Sequence, residues 1–510
     1  MTSSSNQPQG PDLRGGIPAT QLPEGGLVLG HVEENSVLLV RLRGEVHGLG
    51  ATCTHWGGPL ADGLVVDGTV RCPWHHACFS VETGNVLGGP AIDPVDRWGV
   101  EEFDGVVRAT QRLEPTRSGR TLGPGAEMPE SVVIVGAGAA GTVAAAELRA
   151  LGFDRELIVI DPDPDASVDR PNLSKDYLAG KASEEWIPLR SSDWWKEREI
   201  RRHRAAVDRI HAKSREIILE DGSVLRYGAL ILATGSEPLR LEVPGEGPAI
   251  FTLRTLADAR DIIEAAEQAK RVAVLGASFM GLEVAASLRQ RDIDVSIVAP
   301  EARPLERVMG PEVGAFVRKT HEAQGVKFYL ERTARRRTSE GLELSDGTFV
   351  SADFIVMAVG VRPRVDLATA AGLAVNDGVL VDERLETSTP GVFAAGDIAR
   401  YPDARSGQTV RIEHWVLAQR HGRTAARNAV GLNEPFTDVP FFWSQHYDVA
   451  ISFVGHAPKW DATEIDGSFA DLDVSVRYLG ADGVIAMATV GRDRASLSFE
   501  AELEARATHK

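Results

Sequence analysis

The sequence predicts a multidomain chain in which a small all-β unit precedes two α/β units built around glycine-rich turns. Three observations predict it. The 510 residues suffice for roughly three or four domains. Residues 21–112 alternate short apolar runs with glycine turns, as in Ser36 to Leu42, Gly63 to Arg71 and Gly105 to Ala109, which is all-β texture. Further on, an apolar strand running into a glycine-rich turn and an alanine-rich helix occurs twice, about 140 residues apart.

Taken in order, residues 1–20 are rich in Ser, Gln, Pro and Gly and read as a disordered tail. No basic flank leads into an apolar run, so they do not read as a signal peptide. The β-rich unit over 21–112 carries two short segments, Cys53-Thr54-His55 and Cys72-Pro73-Trp74-His75. Sixteen residues separate His55 from Cys72. Two thiolates and two imidazoles are the ligand set of a Rieske [2Fe–2S] centre, thiolates on one iron and imidazoles on the other. A zinc site of two Cys and two His competes with this reading. The order Cys-His then Cys-His, in loops bearing Gly57-Gly58-Pro59 and Pro73, suits a cluster clasped between two loop tips. The metal ligands expected are therefore Cys53, His55, Cys72 and His75.

Residues 113–129 lack periodicity and contain Pro115, Gly119, Pro124, Gly125 and Pro129, so they read as a linker that lets the small unit dock or swing. The first α/β unit opens on Ser131 to Val135, followed by Gly136-Ala137-Gly138-Ala139-Ala140-Gly141. Glycines there let a pyrophosphate approach backbone N–H groups at a helix N-terminus. The next strand ends in Asp161, placed for a ribose hydroxyl. The second unit repeats the turn as Gly276-Ala277-Ser278-Phe279-Met280-Gly281, with Ser278 replacing the middle glycine. Small-residue turns follow at Ala233-Thr234-Gly235, at Ala358-Val359-Gly360 and at Ala395-Gly396-Asp397.

The stretch around the Cys and His pairs resembles ferredoxin-type Rieske domains. From about Glu130 onward the chain resembles the ferredoxin-reductase and apoptosis-inducing-factor group of flavoproteins with the pyridine nucleotide–disulfide oxidoreductase fold. The whole is similar to Rieske-containing members of that group. The resemblance implies Rossmann-like FAD-binding (130–251 and 351–431) and NAD(P)-binding (252–350) domains and a C-terminal α+β domain (432–510). It implies FAD contacts from Gly136, Gly138, Gly141, Asp161, Arg170, Lys175, Ala233, Gly235, Gly360, Gly396 and Asp397, and from Glu413, His414 and Trp415 at the pyrimidine end. Lys175 and Glu283 match the pair expected near the flavin N5 edge and the nicotinamide, and are the catalytic candidates. Gly276, Gly281 and Glu301 match the nicotinamide-nucleotide side. Glu301 favours NADH if it reaches the 2′-hydroxyl, whereas Arg303 would accept a 2′-phosphate. Phe441-Phe442-Trp443-Ser444-Gln445 resembles the family's C-terminal segment by the flavin; its aromatics are expected in the core, with Trp443 bordering an electron exit. No Cys follows Cys78, so the Cys pair of the disulfide-reductase branch is missing.

The implied function is NAD(P)H-dependent electron transfer through FAD and the [2Fe–2S] cluster to a protein or small-molecule acceptor, such as an oxygenase component, ferredoxin or cytochrome. A generic NADH oxidase or quinone reductase, and a slow redox-sensing interaction protein, are the alternatives. The imidazoles are expected nearest solvent, as the electron exit. His76, where the family has Gly, is expected on a solvent-facing loop, and Cys78 as a small buried hydrophobe. The net charge of −18 argues against nucleic acid and anionic membrane surfaces. No apolar run approaches the ~18 residues of a membrane span, so no membrane insertion is expected. Three cysteines, two assigned to metal, leave no disulfide framework and point to a cytoplasmic location. A homodimer is left open.

The departures from high-potential Rieske proteins set an expected potential. Gly58 and Trp74 stand where those proteins carry an extra loop disulfide, and Ala77 and Phe79 where they carry hydroxyls that hydrogen-bond cluster sulfur. Without those bonds the reduced, more negative state is less stabilised. A redox titration followed by EPR is expected to give a midpoint near the lower end of the Rieske range of about −150 to +300 mV.

Overall fold

Apolar side chains of period two build the N-terminal unit. In strand Asn35–Leu42, Leu38 and Val40 enter one core with Cys53, Cys72 and Phe79, while Val37 and Leu39 enter another with Trp98 and Val107. A strand buried on both faces needs cover on both. The computed structural model, which describes residues 9–114, 128–165 and 167–508, supplies it. A six-stranded antiparallel sheet runs in the order Ile17–Pro18, Val106–Leu113, Arg97–Phe103, Glu45–Gly50, Asn35–Leu42, Leu27–Val32. A four-stranded sheet of Leu64–Val66, Thr69–Arg71, Cys78–Ser80 and Val86–Gly88 carries the second Cys-His loop between its middle strands.

The expected disordered tail of residues 1–20 needs correction over its described part. Leu13 and Ile17 are buried in the second core, and Ile17–Pro18 pairs with Val106 and Val107. Two apolar residues scattered among Gly and Pro give no periodic signal, yet each fills a core position. Residues 1–8 lie outside the described residues, as does most of the expected linker, 115–127.

Two five-stranded parallel sheets follow, whose inner strands read as continuous apolar runs because both faces are covered, one by helices and the other by a three-stranded antiparallel sheet (Val207–His211, Glu216–Leu219 and Val224–Arg226 on the first; Ala334–Thr338, Gly341–Leu344 and Phe349–Ser351 on the second). The first has the order Arg201–His203, Glu156–Ile160, Ser131–Val135, Ala229–Leu232, Val392–Ala394. The second has the order Ala249–Phe251, Phe354–Met357, Arg271–Leu275, Asp294–Ala299, Lys327–Leu330. Strands Ala249–Phe251 and Phe354–Met357 therefore belong to the second sheet. The expected seams after 251 and before 351 leave out one strand of the second unit at each end. A buried apolar strand looks alike in either sheet, so its sequence does not choose between them.

Helix Ala139–Ala150 lies against helix Trp415–Ala429. The approach is close at Gly422, where a Cβ would sit 2.1 Å from the Ala140 carbonyl oxygen. Glu147 on the first helix accepts from Arg423 Nε at 3.0 Å and Arg427 Nε at 2.7 Å on the second. The C-terminal unit is an antiparallel sheet in the order Phe441–His446, Val449–Gly455, Gly483–Val490, Asp473–Gly480, Ala462–Ser468, with helix Asp493–Thr508. Among the described residues no helix is long and apolar enough to cross a membrane.

The N-terminal unit is docked on the rest. His76 is fully buried, not solvent-facing as expected. Its Nδ1 lies 2.6 Å from a carboxylate oxygen of Glu500 on the C-terminal helix. Arg420 pairs with the other oxygen at 2.8 Å, and Arg71 pairs with Glu504 at 2.6 Å. Trp56 Nε1 donates to Asp169 at 2.9 Å, and Arg190 pairs with Asp93 at 2.9 Å. Burial pushes the Glu500 carboxyl up, but Arg420, His76 and Arg71 outweigh it and hold it well below the ordinary range. A carboxyl depressed in the fold stabilises above its unfolded value, near pH 4.5, and loses that contribution as pH falls.

Removing one partner of a buried charge network leaves the others uncompensated. Glu500→Ala is expected to destabilise the protein by about 3–5 kcal/mol, with a smaller loss in Glu500→Gln, measured by chemical denaturation at neutral pH.

Candidate functional site

The two Cys-His loops share one backbone design. Cys53 N–H donates to the Gly58 carbonyl and Gly57 N–H to the Cys53 carbonyl; Cys72 N–H donates to Ala77 and His76 N–H to Cys72 in the same way. Each loop turns through one left-handed residue, Gly57 at φ 76° and His76 at φ 59°. Left-handed backbone suits Gly and tolerates His only with a strain cost. The Glu500 contact offsets that cost at His76.

This design brings all four expected ligands together as two pairs. The Cys53 and Cys72 thiols interact directly with one another. His55 Nδ1 and His75 Nδ1 face each other at 3.1 Å. Burial pushes the His55 imidazole down to about 3 and His75 well below its ordinary value, keeping both neutral, as metal ligation requires. The mutual hydrogen bond lowers one thiol, Cys53, and raises the other, Cys72. Gly58 holds a further close approach: a Cβ there would lie 2.7 Å from Cys72 Sγ. Sulfur pairs with sulfur and imidazole with imidazole, which fits a two-iron cluster better than one tetrahedral zinc. Cys78 is only half-buried, and burial raises its thiol.

A cavity of about 330 Å³ opens between the two parallel sheets and the C-terminal unit. Gly138, Arg170, Lys175, Ala233, Gly235, Glu283, Gly360, Gly396, Asp397, Glu413, His414 and Trp415 all line it. Gly136 and Gly141 do not line it but make its turn possible. Gly136 has φ 107°, and a Cβ on Gly141 would sit 1.8 Å from the Gly136 carbonyl oxygen. Gly276, at φ 111°, and Gly281 repeat this against Ala358 and Gly276. Asp161 lies beside the turn and accepts from Ala137 N–H at 2.6 Å. Glu301 stands outside the cavity, paired with Arg307 at 3.3 Å, while Arg303 pairs with Glu306 at 2.8 Å.

Charge in the cavity is organised around buried carboxylates. Asp397 accepts from Arg254 at 2.9 Å and from Ser236 in a short bond. Burial pushes it up, yet Arg254, Ser236 and Arg170 bring it below the ordinary carboxylate range. Burial and Arg254 together lower Arg170 to about 10, and burial lowers His414 to about 3. Burial raises Asp169 to about 6 despite its bond from Trp56. Glu283 accepts from Lys175 at 2.7 Å, Ser174 at 2.6 Å and Ser444 at 2.7 Å. Meanwhile Arg170 Nε, Arg254 Nε, His414 Nδ1 and Trp415 Nε1 are buried with no partner. Unpaired buried polar groups around this cleft fit a polar cofactor such as FAD, whose phosphates and ring carbonyls would satisfy them.

Trp443 joins the two halves of the site. Its side chain lines the cavity, Lys175 Nζ lies 5.9 Å from its ring centre, and the His75 ring centre lies 4.2 Å from it. Trp443 is thus a bridge rather than core. The His55 and His75 edge faces this bridge, not solvent as expected. Ser236, Arg254, Ser174, Ser444 and Trp56 were not legible as site residues. Each acts through a partner more than 100 residues away, so no local spacing marks it.

The family described as pyridine nucleotide-disulphide oxidoreductase matches residues 130–422, and the Rieske [2Fe-2S] domain matches residues 17–103. The chain is 34% identical to human apoptosis-inducing factor 3 over 476 residues, which cover 90% of this chain and 78% of that one. It is 36% identical to the anthranilate 1,2-dioxygenase system ferredoxin–NAD(+) reductase component of Burkholderia cepacia over 370 residues, 71% of this chain and 91% of that one. The crystal structure of a covalent putidaredoxin reductase–putidaredoxin complex aligns with TM-score 0.69 and 34% identity, covering 74% of this chain and 93% of that one.

The contact at Gly141 gives a direct check of the cofactor fit. Gly141→Ala is expected to deplete FAD from the purified protein, measured as the flavin-to-protein ratio after denaturation.

Proposed function

The chain belongs to the pyridine nucleotide-disulphide oxidoreductase family, and from that premise we propose that its residues carry electrons from the flavin cleft through Trp443 to a cluster held by Cys53, His55, Cys72 and His75. The protein is an NAD(P)H oxidoreductase with FAD, NAD(H) and a Rieske [2Fe-2S] domain, and it passes electrons to an iron–sulfur acceptor. When bound, FAD accepts a two-electron hydride from a nicotinamide and releases single electrons, which a [2Fe–2S] cluster can take one at a time.

The chain's own residues divide the work. The Gly136–Gly141 turn and the N-terminus of helix Ala139–Ala150 hold the pyrophosphate of FAD. Asp161 takes a ribose hydroxyl. Ala233, Gly235, Gly360 and Gly396 keep the cavity walls low, and Asp397, balanced by Arg254 and Arg170, would hold the polar chain of FAD. Glu413, His414 and Trp415 lead into helix Trp415–Ala429, whose first N–H groups favour negative charge at the pyrimidine end. Lys175 and Glu283 orient the reacting rings. Gly276 and Gly281 hold the nicotinamide nucleotide. Glu301 is the group for its adenosine ribose, where a carboxylate accepts from the 2′-hydroxyl and so favours NADH.

The single observation that carries this reading is the 4.2 Å contact between Trp443 and His75. It favours an internal relay over an oxidase in which flavin bypasses the cluster. His55 and His75, which would hold one iron of the cluster, face the flavin cleft through Trp443, and a soluble one-electron carrier would dock on another face. Trp74, 39% exposed beside both loops, marks the open face. The similarity to ferredoxin reductases supports a protein acceptor such as a ferredoxin, a cytochrome or an oxygenase component.

Anaerobic stopped-flow mixing with NADH tests the relay. Cys72→Ser is expected to keep flavin reduction and lose cytochrome c reduction, and Trp443→Ala to slow cytochrome c reduction at least about tenfold, roughly 1.4 kcal/mol of barrier. Parental cytochrome c reduction in Cys72→Ser would mean that electrons leave the flavin directly.

A further inference from the structure

Behind the Lys175–Glu283 pair runs a line of buried polar groups that the electron path does not use. Ser444 Oγ donates to Glu283 Oε1 at 2.7 Å and lies 3.2 Å from His446 Nε2. His446 Nδ1 lies 3.1 Å from His321 Nε2, and the Tyr447 hydroxyl lies 3.4 Å from His321 Nδ1. Glu283, Ser444, His446 and His321 are buried. Tyr447 is half-buried in the hairpin turn between strands Phe441–His446 and Val449–Gly455, next to exposed Asp448. We propose that Glu283, Ser444, His446, His321 and Tyr447 form a proton relay between the flavin cleft and the hairpin turn at the surface.

The bonds fix their own direction. Ser444 spends its only hydrogen on the Glu283 carboxylate, so His446 must donate to it from Nε2. A neutral imidazole with Nε2–H accepts at Nδ1, so His321 donates from its own Nε2. His321 Nδ1 then accepts from the Tyr447 hydroxyl. All four donors point toward Glu283. Burial lowers His321 to about 2 and His446 to about 3, so both rings are neutral and each offers one donor and one acceptor. The charged or titratable groups facing the line are Lys175 beside Glu283 and His446, and Arg289 toward Tyr447; burial pushes the Tyr447 phenol up.

A polar line of this kind has a load to carry. The inference rests on the electron-transfer reading above. NADH passed to two equivalents of a one-electron acceptor gives NAD⁺, two electrons and one proton. The electrons leave through the cluster, and the proton remains at the enclosed end of the cleft. A proton held on Glu283 reverses every donor: Glu283 to Ser444, Ser444 to His446 Nε2, His446 Nδ1–H to His321 Nε2, and His321 Nδ1–H to Tyr447. Passing one hydrogen along each bond delivers one proton to solvent at Tyr447. What remains is the inward alignment of the structure, with Glu283 ionised. The observed arrangement is the discharged state of the relay.

Two measurements decide the matter. In protein labelled with ¹⁵N-histidine, with signals assigned through His321→Gln and His446→Gln, both rings are expected as neutral Nε2–H tautomers. A cationic ring, or an Nδ1–H tautomer at either position, would overturn the alignment. In the second, NADH-reduced protein is mixed anaerobically with excess ferricyanide and a pH-indicator dye. Proton appearance is expected to keep pace with flavin reoxidation in the parent. It is expected to lag about tenfold in Tyr447→Phe and His321→Gln, while flavin reduction by NADH keeps its rate. Tyr447→Phe removes one hydroxyl from a half-buried turn and so tests the line even if a core variant fails to fold. Release that keeps pace in Tyr447→Phe would overturn the relay. A flavin that NADH does not reduce in the parent would instead sink the electron-transfer reading, and the proton load with it.

Discussion

One buried carboxylate, Glu500, sets the relative position of everything that matters for electron flow. It is wholly enclosed and holds His76 from a cluster loop and Arg420 from the helix that begins at the cavity wall, with Arg71 nearby at 3.8 Å. A buried charge with the wrong partners costs several kcal/mol, so few docked positions satisfy it. The same contact explains why the second cluster loop tolerates His at a left-handed position where the first has Gly57. A glycine at 76 would turn the loop equally well and lose the tie.

The strand beside that tie turns docking into contact. Phe441 stacks on His76 at 3.8 Å, and Trp443, two residues on and on the same face, meets His75 at 4.2 Å. Period two thus matches alternate strand residues to successive loop residues. Ser444 faces the other way, to Glu283, and His446 follows it two residues later. One strand therefore presents its aromatic face to the cluster loop and its polar face to the cleft. Electrons and protons would part at this strand, each taking one side.

Much of this architecture was legible. The glycine turns at 136–141 and 276–281 announce themselves because a Cβ there would collide with backbone, a constraint local to a few residues. The Cys-His pairs are legible for the same reason: cluster ligation forces spacing within each loop. What escaped reading was long-range. His76 looks like any loop histidine until Glu500 arrives from 424 residues away. Leu13 and Ile17 look like tail until the sheet they cover is folded. Arg254 and Ser236 serve the cofactor cleft only because Asp397 converges on them from another segment. Strand membership at 249–251 and 354–357 failed similarly, since a buried parallel strand carries no mark of its neighbours.

The orientation of the imidazoles bears on why the cluster domain is fused to the reductase at all. A free carrier must present one edge of its cluster to the flavoprotein and then leave to present that edge to an acceptor. Here His55 and His75 face Trp443 in the docked arrangement, held by Glu500, Asp169 and Asp93 through His76, Trp56 and Arg190. Covalent attachment replaces encounter by a high effective concentration, and the buried tie goes further by removing the search for orientation. The cost is that the imidazole edge is occupied. A docked cluster can then serve a second protein only across its remaining surface, near Trp74, or by breaking a buried charge network. The first route leaves the His76–Glu500 and Arg71–Glu504 contacts intact, whereas the second leaves buried charges without their partners.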